Sequence, residues 1–153
     1  MVLFVDTNVI LDFILNREPF FSEAKSFLLL CAKNEAVLAP HTVTNVFFIT
    51  RKDFSQQERK AKLLEVLACM DVVPTGKPQI IKALKNEAIG DFEDALQLEC
   101  ARDINADFIV TRDPRHFSGS EIKTMTPKEF LEKHGRAFAT DGGMKTLANE
   151  GGK

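Results

Sequence analysis

The chain lacks most of the features that would mark a specialised environment. Cysteine occurs only as Cys31, Cys69 and Cys100. An odd number of widely spaced thiols in apolar helical stretches fits small buried hydrophobes in a reducing compartment, not a disulfide or zinc framework. The longest apolar stretch, about Phe27 to Ala32, is far short of the ~20 residues that span a bilayer. The N-terminus opens on a strand-like run, not on a basic region followed by a signal-peptide core. No sign of charge dominates either: 20 basic against 22 acidic residues leave −2. The totals therefore hold no strong basic stripe for nucleic acid, although a local patch stays open. His41, His116 and His134 lack metal-ligand spacing such as H-x-x-x-H, and loop or surface roles are expected for them. Gly76 and Gly90 build no phosphate-cradling loop, and no Ser-His or Cys-His pair carries a motif. These absences predict a soluble cytoplasmic protein that does not enter the membrane.

What is present suits one α/β domain. At 153 residues the chain can bury roughly 70% of its unfolded surface. Val2 to Asp6 reads as a buried strand, followed at once by a helix with Val9, Ile10, Phe13 and Ile14 inward. Pro19 suits the first turn of a second helix through Cys31. Glu35 to Ala39 reads as a strand and Thr42 to Arg51 as a helix. Ser55 and Glu58 form a capping box for a helix to about Met70 that buries Leu63, Leu64, Val66 and Leu67. Val72 and Val73 predict a third strand, and Lys77 to Ala88 a helix with Ile80, Ile81 and Leu84 inward. Asp91 opens a helix through Ile104 whose wide apolar face belongs against a sheet. Phe108 to Thr111 and Ile122 to Thr126 complete the strands, and Pro127 starts a short last helix through Leu131. Strands alternating with helices imply three layers, α/β/α, around a mostly parallel sheet of four to five strands. The domain is expected to span residues 1–134, with 135–153 a flexible tail punctuated by glycine.

Acidic residues stand where the hydrophobic runs stop: Asp6, Asp91 with Asp94, and Asp113. Each has a local explanation. Asp6 and Asp91 suit helix N-caps, Asp94 complements a helix dipole, and Asp113 before Pro114 suits a turn. Local capping does not explain why all of them occupy strand ends or facing helix starts, where α/β proteins bind ligands. Two carboxylates ~4 Å apart repel by about 4 kcal/mol at an effective dielectric near 20. Either their pKa values rise or a cation such as Mg2+ or Mn2+ offsets the charge. Asn8 suits a supporting role beside Asp6, and Glu93 is expected to face solvent. Arg51, Lys52, Arg112 and Arg115 are candidates for weak phosphate contacts, against the simpler expectation of solvated charges.

With Val-Asp6-Thr-Asn-Val-Ile-Leu, Gly-Asp91-Phe-Glu-Asp94-Ala-Leu and Ala-Asp107-Phe-Ile-Val-Thr-Arg-Asp113 in this order, the chain resembles the PIN-domain family from Val2 to about Leu131. Thr126-Pro-Lys-Glu-Phe-Leu131 is similar to that family's closing segment. The resemblance implies a metal-dependent ribonuclease with Mg2+ or Mn2+ as cofactor and RNA as substrate, of the kind found as toxins in toxin–antitoxin pairs. An antitoxin partner and a homodimer come with the same resemblance. By it, Asp6, Asp94 and Asp113 are the family's acids and Thr111 the hydroxyl residue beside the last. The family usually carries a Glu within a segment like His41-Thr-Val-Thr-Asn45-Val; here the aligned position is Asn45, a neutral ligand. Asp91, one helical turn before Asp94, is the expected replacement charge. Two rivals stand beside this reading. One is a catalytically weakened RNA-binding or protein-interaction module of the same fold. The other is a haloacid-dehalogenase-like phosphatase, which would give Asp113 no role.

Overall fold

β1 (Val2–Val5) runs directly into α1 (Thr7–Ile14), followed by α2 (Phe21–Cys31), β2 (Glu35–Leu38), α3 (Pro40–Ile49) and α4 (Gln56–Leu67). Then come β3 (Asp71–Val72), α5 (Lys77–Leu84), α6 (Phe92–Asp103), β4 (Phe108–Val110), β5 (Lys123–Met125) and α7 (Pro127–Ala139). This is a computed structural model, and it describes residues 1–139. All strand pairings are parallel, in the order β3-β2-β1-β4-β5. β2 and β3 extend to one side of β1, and β4 and β5 to the other. The strand order therefore reverses beside β1, which is where open α/β sheets hold their ligands.

Alternation along the strands makes the layers. Leu3 and Val5 of β1 face one core with α1, α2, Val46 of α3, α4 and Phe130 of α7. Phe4 between them faces the other core, with α5 and α6. Such strands are apolar on both sides because both faces are covered. On the first face, the Phe27 and Phe130 rings meet edge-on at 5.4 Å.

Local chemistry sets several boundaries away from their expected places. α3 begins at Pro40, a residue suited to a first helical turn, and ends where Thr50 donates its hydroxyl to the Val46 carbonyl at 2.7 Å. A 3-10 turn, Thr50–Lys52, follows. The Ser55–Glu58 capping box forms as expected, with the Ser55 amide donating to Glu58 at 2.7 Å. α5 stops at Leu84, because the Asn86 side chain accepts the amides of Ala88 and Ile89 in a turn. Ile80, Ile81 and Leu84 point outward, contrary to expectation; the short helix packs through the small Ala83 instead. Leu64 is likewise exposed, while Leu63 and Val66 of the same helix are buried. α7 is longer than expected and starts on a Thr126–Glu129 box, in which each residue accepts the other's amide. It continues to Ala139, past the Gly135 at which a tail was expected; residues 140–153 of that tail lie outside the described residues.

Candidate active site

Asp6 ends β1 and occupies the N-cap position of α1, yet its carboxylate makes no cap bond. It is turned across the sheet instead. Gln97 Nε2 of α6 donates to Oδ1 at 2.8 Å, and the Thr111 hydroxyl, just past β4, donates to Oδ2 at 2.8 Å. Only 1% of Asp6 is exposed. Its amide continues the sheet by donating to the Val110 carbonyl at 3.0 Å, so β1 and β4 pin both the backbone and the side chain. Gln97 is itself oriented, since its Oε1 accepts the Thr7 amide at 3.4 Å.

The first turn of α6 supplies the next carboxylates. Asp91 does cap: its Oδ1 accepts the Asp94 amide at 3.1 Å, and the residue is exposed. Asp94 and Gln97 are three apart and Glu93 and Gln97 four apart, so all three share the face that meets β1. Glu93 is therefore not solvated, as expected from sequence, but half-buried, and accepts the Thr7 hydroxyl at 3.3 Å. Thr7 also shares a buried 2.9 Å hydroxyl contact with Thr42 of α3. Burial first, then Asp6, Asp91 and Glu93, push Asp94 up to about 6 against the opposing pull of His116.

Asp113 lies in the turn after β4. It accepts the Arg115 amide at 3.1 Å and the Arg115 guanidinium at 2.8 and 2.6 Å. Those Arg115 bonds hold its carboxyl down at about 2. The His116 ring links the two acidic groups, with Nδ1 3.6 Å from Asp94 and Nε2 3.6 Å from Asp113. Nothing in the spacing of His116 announced this position; only its place two residues past Pro114, beside Asp113, pointed to it.

The remaining candidates divide. Thr111 is buried and bridges Asp6 to the Asp113 amide, which donates to its hydroxyl at 3.2 Å. Asn8 and Asn45 are half-buried on α1 and α3. Arg112 is committed elsewhere: it donates to the buried Asp12 at 2.8 Å and lies over the Phe20 ring, 5.0 Å from its centre. Arg115 is spent on Asp113. His41, at the start of α3, has a buried Nε2 without a hydrogen-bond partner. Burial lowers its pKa, while the negative charges of Glu93 and Asp6 oppose that.

A hard divalent cation matches this donor set. Burial and the neighbouring Asp6, Asp91 and Glu93 raise the Asp94 carboxyl to about 6, and oxygen-only ligands suit Mg2+ or Mn2+. Among the described residues no three acidic, His or Cys side chains already stand in metal-holding geometry; Asp113 is turned to Arg115 and Asp91 to its cap.

A family model described as a PIN domain matches residues 2–115. Among solved structures the chain is similar to a VapBC2 structure from Rickettsia felis bound to a DNA fragment from their promoter. That match has 18% identity, a TM-score of 0.65, and covers 82% of this chain and 98% of the other. It is also similar to a toxin-antitoxin complex from Klebsiella pneumoniae, with 22% identity, a TM-score of 0.62, and coverage of 83% and 98%. At these identities the likeness is one of fold. No curated protein matches the chain.

Proposed function

The chain belongs to the PIN-domain family, and on that premise we propose that it hydrolyses RNA phosphodiester bonds with Mg2+ or Mn2+, as the toxin of a toxin–antitoxin pair. One observation carries the chemistry: Asp6, held rigid and buried, shares its field with Asp94, whose carboxyl rises to about 6. Carboxylates so placed are ready for a counter-charge. The likeness to two toxin–antitoxin assemblies supports an antitoxin partner, and a homodimer and a cytoplasmic location belong to the same proposal. No helix among the described residues is long and apolar enough to cross a membrane.

Asp6, Asp94 and Glu93 are the residues that would hold the cation, with Asp113 joining once Arg115 releases it. Asp91 adds the replacement negative charge from the start of α6, and Glu93 reaches α3 only through Thr7 and its contact with Thr42. A bound divalent ion lowers the pKa of water, positions it and offsets charge on the phosphate. The chain's own contributions are orientation and exclusion. Gln97 and Thr111 fix the Asp6 oxygens; the Thr7–Thr42 contact sets Glu93. His116 presents an exposed imidazole between Asp94 and Asp113, within reach of an incoming phosphate.

Incubating single-stranded RNA with the protein in Mn2+, in EDTA, and as Asp94→Asn tests the proposal. Wild type is expected to cleave in Mn2+ and not in EDTA, and Asp94→Asn to cleave in Mn2+ slower by on the order of a hundredfold. Equal cleavage by all three, or none by any, overturns it. The second reading, an RNA-binding module without turnover, is favoured by Asn45 at the usual acid position and by the Arg115 clasp on Asp113. Its signature is RNA binding at wild-type strength with no product. The phosphatase rival falls with the family assignment.

A further inference from the structure

We infer that the outer end of α3, its 3-10 turn and the start of α4 form a single-stranded RNA-binding strip that leads into the acidic site. The inference rests on the ribonuclease reading above and extends it to where the substrate lies. The segment from Arg51 to Lys62 holds five basic residues against Asp53 and Glu58, in a chain of net −2. Glu58 spends its carboxylate on the Ser55 amide and faces Lys62 one turn on.

Among the described residues, the arginines of this strip differ from four others. Arg17, Arg102, Arg112 and Arg115 each lie within salt-bridge distance of a carboxylate. Arg51 and Arg59 have no such partner among the described residues. They donate to the last carbonyls of α3 instead, Arg51 to Phe48 at 2.9 Å and Arg59 to Phe47 at 2.7 Å. Each guanidinium also lies over an aromatic ring: Arg51 is 3.8 Å from the Phe48 centre and Arg59 4.2 Å from that of Phe47. Lys62 stands 4.6 Å over Phe54 in the same way. Phe48 is 61% exposed, an unusual position for a large ring.

An excess of cations around an exposed ring is what single-stranded nucleic acid binds: phosphates meet the charges and a base stacks on the Phe48 ring. Arginine held flat on a ring keeps its outer edge free for phosphate. Charge complementarity therefore selects a polyanion, and Phe48 selects one with flat bases. One helix links the strip to the site. α3 starts at Pro40, its Thr42 touches Thr7, and at 1.5 Å per residue the seven steps from His41 to Phe48 cover about 10 Å.

The test is binding of a fluorescent oligoribonucleotide of about 15 nucleotides, within the range one single-strand groove covers. It is run in EDTA, so that no cleavage intervenes. Arg51→Glu with Lys52→Glu should weaken binding at least tenfold and flatten the salt dependence by about 1.4 in log–log slope, two phosphate contacts at ~0.7 each. Phe48→Ala should weaken it about tenfold with the salt slope unchanged. Arg51→Lys, which keeps the charge but loses the stacked planar fork, should weaken binding less than Arg51→Glu with Lys52→Glu does, and Lys33→Glu, in the turn after α2, should change nothing. Circular dichroism of each variant confirms the fold. Unchanged binding by the folded variants, or a strip that takes poly-glutamate in preference to RNA, overturns the inference. Cleavage in Mn2+ separates the two levels: wild-type cleavage by the strip variants of RNA at limiting concentration sinks the strip alone. Full RNA binding with no cleavage sinks the nuclease and leaves the strip.

Discussion

The Gln97 side chain donates to Asp6 across 91 positions of sequence, at 2.8 Å and out of reach of solvent. This bond ties α6 to the end of β1 and so brings Asp94 and Glu93 up to Asp6. Removing the donor should leave a carboxylate oxygen buried without a partner. Gln97→Leu is expected to lower stability by about 1–3 kcal/mol in urea unfolding. It should also weaken Mn2+ binding by roughly 10–100-fold, as loss of a ligand-orienting partner does. Wild-type metal affinity in the folded variant would show that the bond is structural only.

Burial, reinforced by its acidic neighbours, gives Asp94 and so the metal-free protein a defined pH response. Asp94 is raised from 3.8 to about 6, so the folded state binds its proton more tightly than the unfolded chain does. Its stabilising contribution is therefore complete below 3.8 and lost as pH rises through about 6. Asp94→Asn abolishes that loss. In EDTA the variant should exceed wild type by on the order of 1–3 kcal/mol above the upper value and converge with it at acid pH. Asp113 moves in the opposite direction: lowered to about 2 by Arg115, its contribution is present above 3.8 and fades as pH falls toward 2.

Asp12 and Arg112 make a separate prediction. Asp12 is 2% exposed and pairs with Arg112 at 2.8 Å, with Arg17 more distant at 3.7 Å. Burial outweighs both cations and raises its pKa. Arg112→Met strands the carboxylate and should cost about 2–4 kcal/mol in chemical unfolding, whereas adding Asp12→Leu should return most of it. A single variant as stable as wild type would mean that Arg17 alone suffices.

Arg115 closes on both oxygens of Asp113 and competes with any cation there. Arg115→Gln should tighten Mn2+ binding a few-fold by calorimetry, since exposed ion pairs are weak. Looser binding would instead make Arg115 a support for the site.

Much of this architecture was legible in the sequence because its signals are local. The unbroken apolar runs Val2–Val5 and Phe108–Val110 marked strands covered on both faces, and Ser55 with Glu58 marked a helix start. Asp6 was legible as a strand-end acid, but whether it capped α1 or faced the site was not, because that depends on Gln97, distant in sequence. Glu93 was misjudged for the same reason. Its neighbours Thr7 and Thr42 arrive from two other elements, so helical spacing alone could not place it. Ile80, Ile81 and Leu84 read as a buried face, yet the small Ala83 carries the packing. Residue size is a poor guide where two helices approach closely. Asp91 and Asp113 do what their local context suggested, capping α6 and a turn.

Titrating Mn2+ into the metal-free protein at pH 7.5 by calorimetry probes the central claim most directly, with wild type, Asp94→Asn and Glu93→Gln compared. If the carboxylates of β1 and α6 share one cation, wild type should bind and each variant should lose at least about tenfold in affinity, roughly 1.4 kcal/mol. Equal affinity in all three proteins, or no uptake by wild type, would contradict it.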